Sequence, residues 1–277
     1  MIRVEREFVR LPVRDRDAHK GNFGRVHILA GSVGFTGAPA LAAGAAVRTG
    51  SGLVYLSVPE EVWPVLAVKC LEAMPSPVAP FPALLEKMNG SDAVLIGPGL
   101  GRSRKTDVRT LRLIERLEKP LVLDADGINA AAEHIDVLTT RRGRLTVLTP
   151  HDGEFLRLTR GEPIGPDREA AAAAFARRTG CVLVLKGHRT VTAFPDGETF
   201  LNTTGNPGMA KGGSGDILAG MILSLLGQGL DPKLAVPGAV WLHGRAGDLA
   251  AERQGEYGMT PGDLLERIPE AIRETVT

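Results

Sequence analysis

The sequence is poor in cysteine, in charge imbalance and in long apolar runs, and each shortage removes a class of protein. Cys70 and Cys181 are the only cysteines in 277 residues; they lie far apart, with no metal-type spacing and no histidine partner. They exclude a disulfide scaffold, suit a reducing compartment and read as two buried apolar side chains. Lysine and arginine total 33 against 32 acidic residues, a net charge of +1 with the signs interspersed. Overall electrostatics therefore imply neither nucleic acid nor an anionic membrane as a partner. No apolar run reaches the roughly 18–20 residues of a membrane span. Residues 1–20 carry charges throughout and leave no room for a signal-peptide core, so a cytoplasmic location is expected. Internal repeats and low-complexity segments are missing as well.

What is there is a chain with 43% hydrophobic residues, enough to bury the core of one α/β domain over residues 1–277. Val26–Ala30, Leu53–Val58, Ala93–Ile96, Leu121–Leu123, Leu145–Leu148 and Val182–Leu185 are short, mostly apolar runs, each followed by polar residues, glycine or proline. Helical stretches separate them: an alanine-rich one ending near Gly50, a short one with Glu60 and Glu61 in its first turn, and others at 103–118, 127–138 and 168–179. Apolar runs alternating with helices predict parallel strands covered on both faces, a three-layer α/β/α sandwich around a mostly parallel sheet. Residues 190–194 and 198–201 flank Pro195-Asp196-Gly197 as a β-hairpin, and 232–254 and 260–276 read as helices. The proline-rich stretch at 75–82 reads as a surface crossing within the domain.

The chain is organised around Asn206-Pro207-Gly208-Met209-Ala210-Lys211-Gly212-Gly213-Ser214-Gly215-Asp216, which runs straight into an almost wholly apolar helix. Glycines around one small serine let backbone N–H groups turn toward a point, and the first N–H groups of the next helix lack intrahelical partners. Such a place attracts phosphate. A carboxylate at its mouth repels phosphate, so Asp216 calls for a chemical reason, and taking a proton from an attacking hydroxyl supplies one. An N-cap is the competing role; the preceding Gly-Gly-Ser-Gly favours the base. The loop is not a Walker A loop, because Asp216 stands where that pattern has lysine.

Ligands of open parallel sheets sit beyond the carboxyl ends of the strands, so the residues following each strand sample the site. Gly97-Pro98-Gly99-Leu100-Gly101 admits a ligand close to the backbone but is not a dinucleotide fingerprint, since Arg102 stands where its third glycine would fall. Asp124 and Asp126 either hold Mg²⁺ or cap the helix near Gly127. His151 and Glu154 share a helical face, where Glu154 steers Mg²⁺ and phosphate or the pair forms a capping box. Lys186 and Arg189 offer cations to nucleotide phosphates or are solvated surface charges, and Lys211 is equally ambiguous. His19, His27, His134 and His243 show no partners and read as structural.

Six ordered motifs carry a family resemblance. They are Lys20-Gly21-x-Phe23-Gly24, Gly97-Pro98-Gly99-Leu100-Gly101, Asp124-Ala125-Asp126-Gly127-x-Asn129, Thr149-Pro150-His151-x-Gly153-Glu154, Leu185-Lys186-Gly187, and Asn206-Pro207-Gly208-Met209-Ala210-x-Gly212-Gly213-x-Gly215-Asp216. In this order they resemble the ADP/ATP-dependent NAD(P)H-hydrate dehydratases of the ribokinase-like superfamily, over residues 19 to about 270. His151-x-x-Glu154 also resembles the Asn-x-x-Glu motif of ribokinase-like kinases, and its histidine suits the dehydratase branch.

The resemblance implies a ribokinase-like fold and repair of NADHX and NADPHX, with ADP (or ATP) as co-substrate, Mg²⁺ as cofactor, and AMP and phosphate as products of ADP. It implies a catalytic Asp216 with Gly213, Ser214 and Gly215. Ala38, Pro39, Gly99, Gly101, His151 and Asp216 are implied as substrate contacts, Pro39 standing where alanine is frequent. Lys186, Gly187, His188, Arg189, Thr190 and Gly215 are implied for the nucleotide, and Glu154 and Asp124 for the metal. A homotetramer is implied, as is a separate epimerase acting on the same substrate. Two other readings are a vitamin-precursor kinase, whose product keeps the phosphate, and a non-catalytic adenine-nucleotide sensor.

Overall fold

The computed structural model describes residues 1–11 and 13–275. Ten strands, β1 (Ile2–Val4), β2 (Arg25–Leu29), β3 (Leu53–Val58), β4 (Met74–Pro77), β5 (Ala93–Ile96), β6 (Leu121–Leu123), β7 (Thr146–Leu148), β8 (Val182–Leu185), β9 (Val191–Ala193) and β10 (Thr199–Asn202), form one sheet. Eleven helices accompany them among the described residues: α1 (Gly37–Arg48), α2 (Trp63–Lys69), α3 (Phe81–Asn89), α4 (Arg104–Arg116), α5 (Asp126–Glu133), α6 (Asp136–Thr139), α7 (Asp152–Leu158), α8 (Arg168–Thr179), α9 (Ser214–Gly227), α10 (Pro232–Gly258) and α11 (Pro261–Thr275). No helix among the described residues is long and apolar enough to cross a membrane.

The strand order is β1-β10-β9-β8-β7-β6-β5-β2-β3-β4, and every pairing is parallel except the two that β9 makes. The expected sandwich and hairpin are both present. Strands β5, β6, β7 and β8 are buried along their whole length because helices cover both faces. One apolar cluster lies under α1, α9, α10 and α11, and a second lies under α3, α4, α5, α7 and α8. From β2 the chain winds outward through β3 and β4; from β5 it winds the other way through β6, β7 and β8. The direction reverses between β2 and β5, which opens a crevice at their carboxyl ends.

Several elements depart from the sequence expectation. The prolines at 75 and 77 belong to β4, an edge strand, where a missing N–H leaves no gap in the ladder. Pro82 then sits in the first turn of α3, where its missing donor is harmless. Strand β1, within the charged amino-terminal stretch, pairs with β10 through Ile2–Val4, and Val4 faces the core. Glu60 and Glu61 form a turn ahead of α2 rather than its first turn. The helix expected over 127–138 is interrupted at His134, whose φ of −133° ends α5. The run 232–254 ends helically where Gly255 takes a φ of 71°, and residue 276 lies outside the described residues. Both cysteines are buried.

Helices α1 and α9 approach so closely that a Cβ on Gly220 would lie 2.2 Å from the Ala42 carbonyl oxygen. Backbone cannot swing aside as a side chain can, so overpacking here sits at the upper end of its usual range. Gly220→Ala is expected to destabilise the fold by about 3 kcal/mol and to lower Tm by roughly 6 °C or more. A thermal melt of the variant within a degree of the parent would show that the two helices are free to move apart.

Candidate active site

Helix α9 begins at Gly213, whose φ of 109° is a backbone shape that favours glycine, and where a Cβ would meet Leu41 at 2.7 Å. The Ser214 N–H turns back to the Lys211 carbonyl at 3.3 Å, whereas among the described residues the Gly212, Gly213, Gly215 and Asp216 amides make no such loop bond. Asp216 is the third residue of the helix and makes no capping bond there, which removes its competing role as N-cap. Lys211 donates to the carbonyls of Tyr257 (2.8 Å) and Met259. It fastens the loop to the end of α10 and also lines the cavity described below.

Facing the start of α9 is a group of charges brought together from three strand ends. The Lys186 ammonium lies 3.0 Å from Asp124 Oδ1 and 3.9 Å from Glu154 Oε2. It is so near the loop that a Cβ on Gly215 would touch it at 3.2 Å. Burial would lower the Lys186 pKa, but Asp124 and Glu154 more than offset that and raise it above the ordinary lysine value. Asp124 also accepts from the Thr149 hydroxyl at 2.7 Å. Burial pushes the Asp216 carboxyl up to about 7, with Asp124 and Glu154 adding to the shift and Lys186 opposing it. Its protonation thus changes near neutral pH, as suits a general base.

Three carboxylates therefore share one space with one ammonium, beside amides built to receive an anion. A phosphate group brings further negative charge, and a divalent cation entering with it relieves the conflict. Among the described residues no three His, Cys, Asp or Glu side chains are close enough together to hold a metal by themselves. This donor set fits magnesium, which keeps several waters and is held by one or two carboxylates together with substrate phosphates.

His151 and Glu154 form the capping box of α7. His151 Nδ1 accepts from the Gly153 (3.0 Å) and Glu154 (3.4 Å) N–H groups, while Glu154 Oε2 accepts from the His151 N–H at 2.9 Å. This fixes both carboxyl position and tautomer: with Nδ1 accepting, Nε2 carries the proton. The capping role and a ligand role coexist, because both residues also line the cavity described next.

A cavity of about 840 Å³ runs from Asp124, His151 and Glu154 past Asp216 to Asn202, Thr204 and α10. Lys186, Gly187, His188, Arg189, Thr190, Gly213, Ser214 and Gly215, all singled out from sequence, line it too. Arg189 has a φ of 59° and is exposed. Four expected substrate contacts lie elsewhere. Gly99 and Gly101 stand over the crevice between β2 and β5, where the Ser32 hydroxyl donates to the Gly99 carbonyl at 2.8 Å and Gly31 N–H to the Pro98 carbonyl at 2.9 Å. Ala38 borders that loop, since a Cβ on Gly99 would meet it at 3.1 Å. Pro39 is buried against Gly31 and presents no surface to a substrate. Asp126 is spent on holding this loop, accepting from the Gly101 N–H at 2.9 Å and from Asn129 at 3.2 Å. Of the two acidic residues after β6, Asp124 points to the charge cluster.

Two residues of α10 that sequence reasoning did not assign to the site support it. His243 Nε2 donates to the Ser214 carbonyl at 2.9 Å, and burial, aided by Lys186 and opposed by the Ser214 contact, lowers its pKa to about 4. It is a neutral prop beneath the first turn of α9. Asp248 binds the Gly205 N–H and the Asn206 amide, each at 3.0 Å, and anchors the start of the glycine loop to α10. Both lie on a long helix whose sequence carries no motif signal.

Comparison with known proteins agrees with this geometry. The NAD(P)H-hydrate dehydratase family model matches residues 26–270. The bifunctional NAD(P)H-hydrate repair enzyme of Moorella thermoacetica is 46% identical over 275 residues, covering 95% of this chain and 52% of that one. The chain spans about half the length of the first such relatives. The ADP-dependent (S)-NAD(P)H-hydrate dehydratase of Neisseria meningitidis is 38% identical, covering 91% of this chain and 86% of that protein. The ADP/ATP-dependent NAD(P)H-hydrate dehydratase of Bacillus subtilis, crystallised with ATP and Mg²⁺, superposes with a TM-score of 0.82 at 34% identity over 96% of this chain and 94% of that one. The resemblance carried by the six motifs is borne out.

The raised Asp216 pKa has a consequence for stability. With the folded value near 7 and an ordinary carboxylate near 4 when unfolded, the folded state holds the extra proton between those limits, so stability falls as pH rises through that window. Above pH 7 the native state carries a buried charge that asparagine would remove. Asp216→Asn is expected to raise Tm at pH 8 and to change it little at pH 5. Equal shifts at both pH values would mean that Asp216 titrates normally.

Proposed function

The chain belongs to the NAD(P)H-hydrate dehydratase family, and from that premise we propose that it returns the S form of NADHX and NADPHX to NADH and NADPH, with ADP as phosphoryl donor. The observation that carries this reading is Asp216, a carboxyl group titrating near 7, standing beside the Gly213 and Gly215 amides that open α9. A binding protein gains nothing from such a group at a phosphate site.

The chemistry follows from the residues. Hydroxide is a poor leaving group, so the hydroxyl of the hydrate must be converted. Asp216 takes the hydroxyl proton while that oxygen forms a bond to the terminal phosphorus of ADP and the bridging P–O bond breaks, releasing AMP. The Gly213, Gly215 and Asp216 amides stabilise the charge on the transferring group. Electrons from the ring nitrogen then expel phosphate, and loss of a proton from the adjoining ring carbon restores the double bond. The net change is hydrate plus ADP to the reduced cofactor, AMP, phosphate and a proton. Glu154, with Asp124 beside it, would hold the magnesium that accompanies the nucleotide and screens its phosphates.

Lys186 to Thr190, with Gly215, form the nucleotide side of the site, and the crevice of Gly99 and Gly101 with His151 forms the hydrate side. Ala38 borders the latter; Pro39 supports it from beneath. One sheet running through the described residues supports reading them as a single catalytic domain. Exposed apolar residues on and after α2, Val68 at 78% and Leu71 at 84%, suit self-association, and we take the assembly to be the tetramer that the family resemblance implies.

Incubation of the purified protein with NADHX, Mg²⁺ and either ADP or ATP, followed by absorbance of NADH and by phosphate release, tests the reading. One NADH and one phosphate per turnover are expected, with ADP preferred. Absence of NADH with both nucleotides, on substrate shown to be competent, would sink it in favour of a kinase whose product keeps the phosphate. In the same assay Asp216→Asn is expected to lower kcat by about 10²–10⁴, the worth of a lost acid–base group, while calorimetry shows nucleotide binding retained; near-normal turnover would leave Asp216 without its catalytic role.

A further inference from the structure

A second cavity of about 660 Å³ opens between the start of α3 and the outer face of α4. Pro80 and Phe81 form its apolar side, and Arg104, Lys105, Arg109 and Arg112 its rim. The four cations make one stripe of α4, turned away from Thr110, Leu113 and Ile114, which face the core. Among the described residues none of the four forms an ion pair within 4.0 Å. Neighbouring Arg102 differs: Asp107 at 3.1 Å and Glu133 at 2.5 Å take up its charge. The Arg112 guanidinium lies 4.0 Å from the centre of the Phe81 ring, so part of the cationic rim is laid over the aromatic wall. A solvated helix face also carries arginines, but it does not pair four uncompensated cations with an aromatic-walled cavity.

The position of this groove gives it a ligand. The connection from β4 into α3 and the start of α4 both lie at the carboxyl rim of the parallel sheet, and both helices cover the face opposite α9 and α10, which wall the nucleotide cavity. Arg104 is three residues beyond Gly101, no more than about 11 Å along an extended chain, and the stripe from Arg104 to Arg112 runs about 12 Å along the helix. A dinucleotide whose hydrated ring lies at Gly99 and Gly101, within reach of Asp216, must lead its other half away from the site of phosphoryl transfer. The side occupied by Lys186 to Thr190 is reserved for the phosphoryl donor.

We propose that the α4 groove receives the adenylate half of the dinucleotide hydrate, and that its four cations favour NADPHX, whose ribose bears an additional phosphate, over NADHX. The inference rests on the dehydratase reading and adds to it a location for the distal half of the substrate and a basis for choosing between the two cofactors. Arginine and lysine at a partly apolar groove are suited to a ribose phosphate with a ring beside it.

The test is the double substitution Lys105→Gln with Arg109→Gln, with circular dichroism to establish that the fold is kept. At saturating adenine nucleotide, KM for NADPHX is expected to rise about tenfold or more, the worth of one hydrogen bond between charged groups, against less than about threefold for NADHX. Calorimetry with 2′-phospho-ADP-ribose, which carries the distal half without the reactive ring, should show an affinity loss of similar size. Equal changes in the two KM values, or none, in a folded variant would overturn the proposal. If the parent turns over neither hydrate, the dehydratase reading fails by itself, and calorimetry still decides the groove: unchanged affinity for the phosphorylated ribose in the double variant would overturn it.

Discussion

A crowd of negative charge beside the glycine-rich start of α9 governs this protein. Asp124, Glu154 and Asp216 share one space with Lys186, and the amides at the start of α9 open onto it. Burying like charges together is unfavourable, and each part of the surroundings limits the damage. Lys186 neutralises Asp124 most directly, the Thr149 hydroxyl adds a hydrogen bond, and the α7 capping box holds Glu154. Asp216 is helped only by Lys186, which does not offset its burial, so its carboxyl keeps a proton up to near-neutral pH. A cation or a proton entering this arrangement would relieve the crowding.

The sheet divides the labour. Winding reverses between β2 and β5, so one crevice forms at the carboxyl ends of those strands. The strands on the β6-to-β10 side end in the charged cluster and the nucleotide cavity, while the glycine loop after β5 stands over the crevice. Asp216 lines that cavity beside the charged cluster. A Cβ on Gly97 would fall 1.7 Å from the Asp124 carbonyl oxygen, so the substrate loop and the charge cluster are in backbone contact and neither can shift alone.

Much of this was legible in the residues. Apolar runs alternating with helices set out the parallel sheet, and the glycine-rich loop running into an apolar helix pointed to the cavity that Asp216 lines. Elements with weak local signals were not legible. Strand β1 is three residues in a charged stretch, and β4 reads Met-Pro-Ser-Pro; both exist because a neighbouring strand offers an edge. His243 and Asp248 lie on a long helix, and only its packing against the glycine loop gives them a role. Arg141 looks like a surface residue in Thr-Thr-Arg-Arg-Gly-Arg, yet it is buried at 1% exposure, donating to the carbonyls of Ile114, Leu117 and Lys119 at the end of α4.

The sequence by itself determined the fold class, the family and the identity of the residues at the strand ends, because periodicity, glycine and ordered motifs are local properties of a chain. Tertiary structure decided the division of roles among those residues. Asp124 and Asp126 are two positions apart in the same motif; one meets Lys186 across the sheet and the other ties down Gly101. Pro39 is adjacent to Ala38 but points into the core. Lys211 and Lys186 both look like phosphate-binding cations and both line the cavity, but Lys186 meets Asp124 while the Lys211 ammonium is bonded to carbonyls at the end of α10. Charge, burial and reach depend on distances between segments far apart in sequence, and these exist only once the chain has folded.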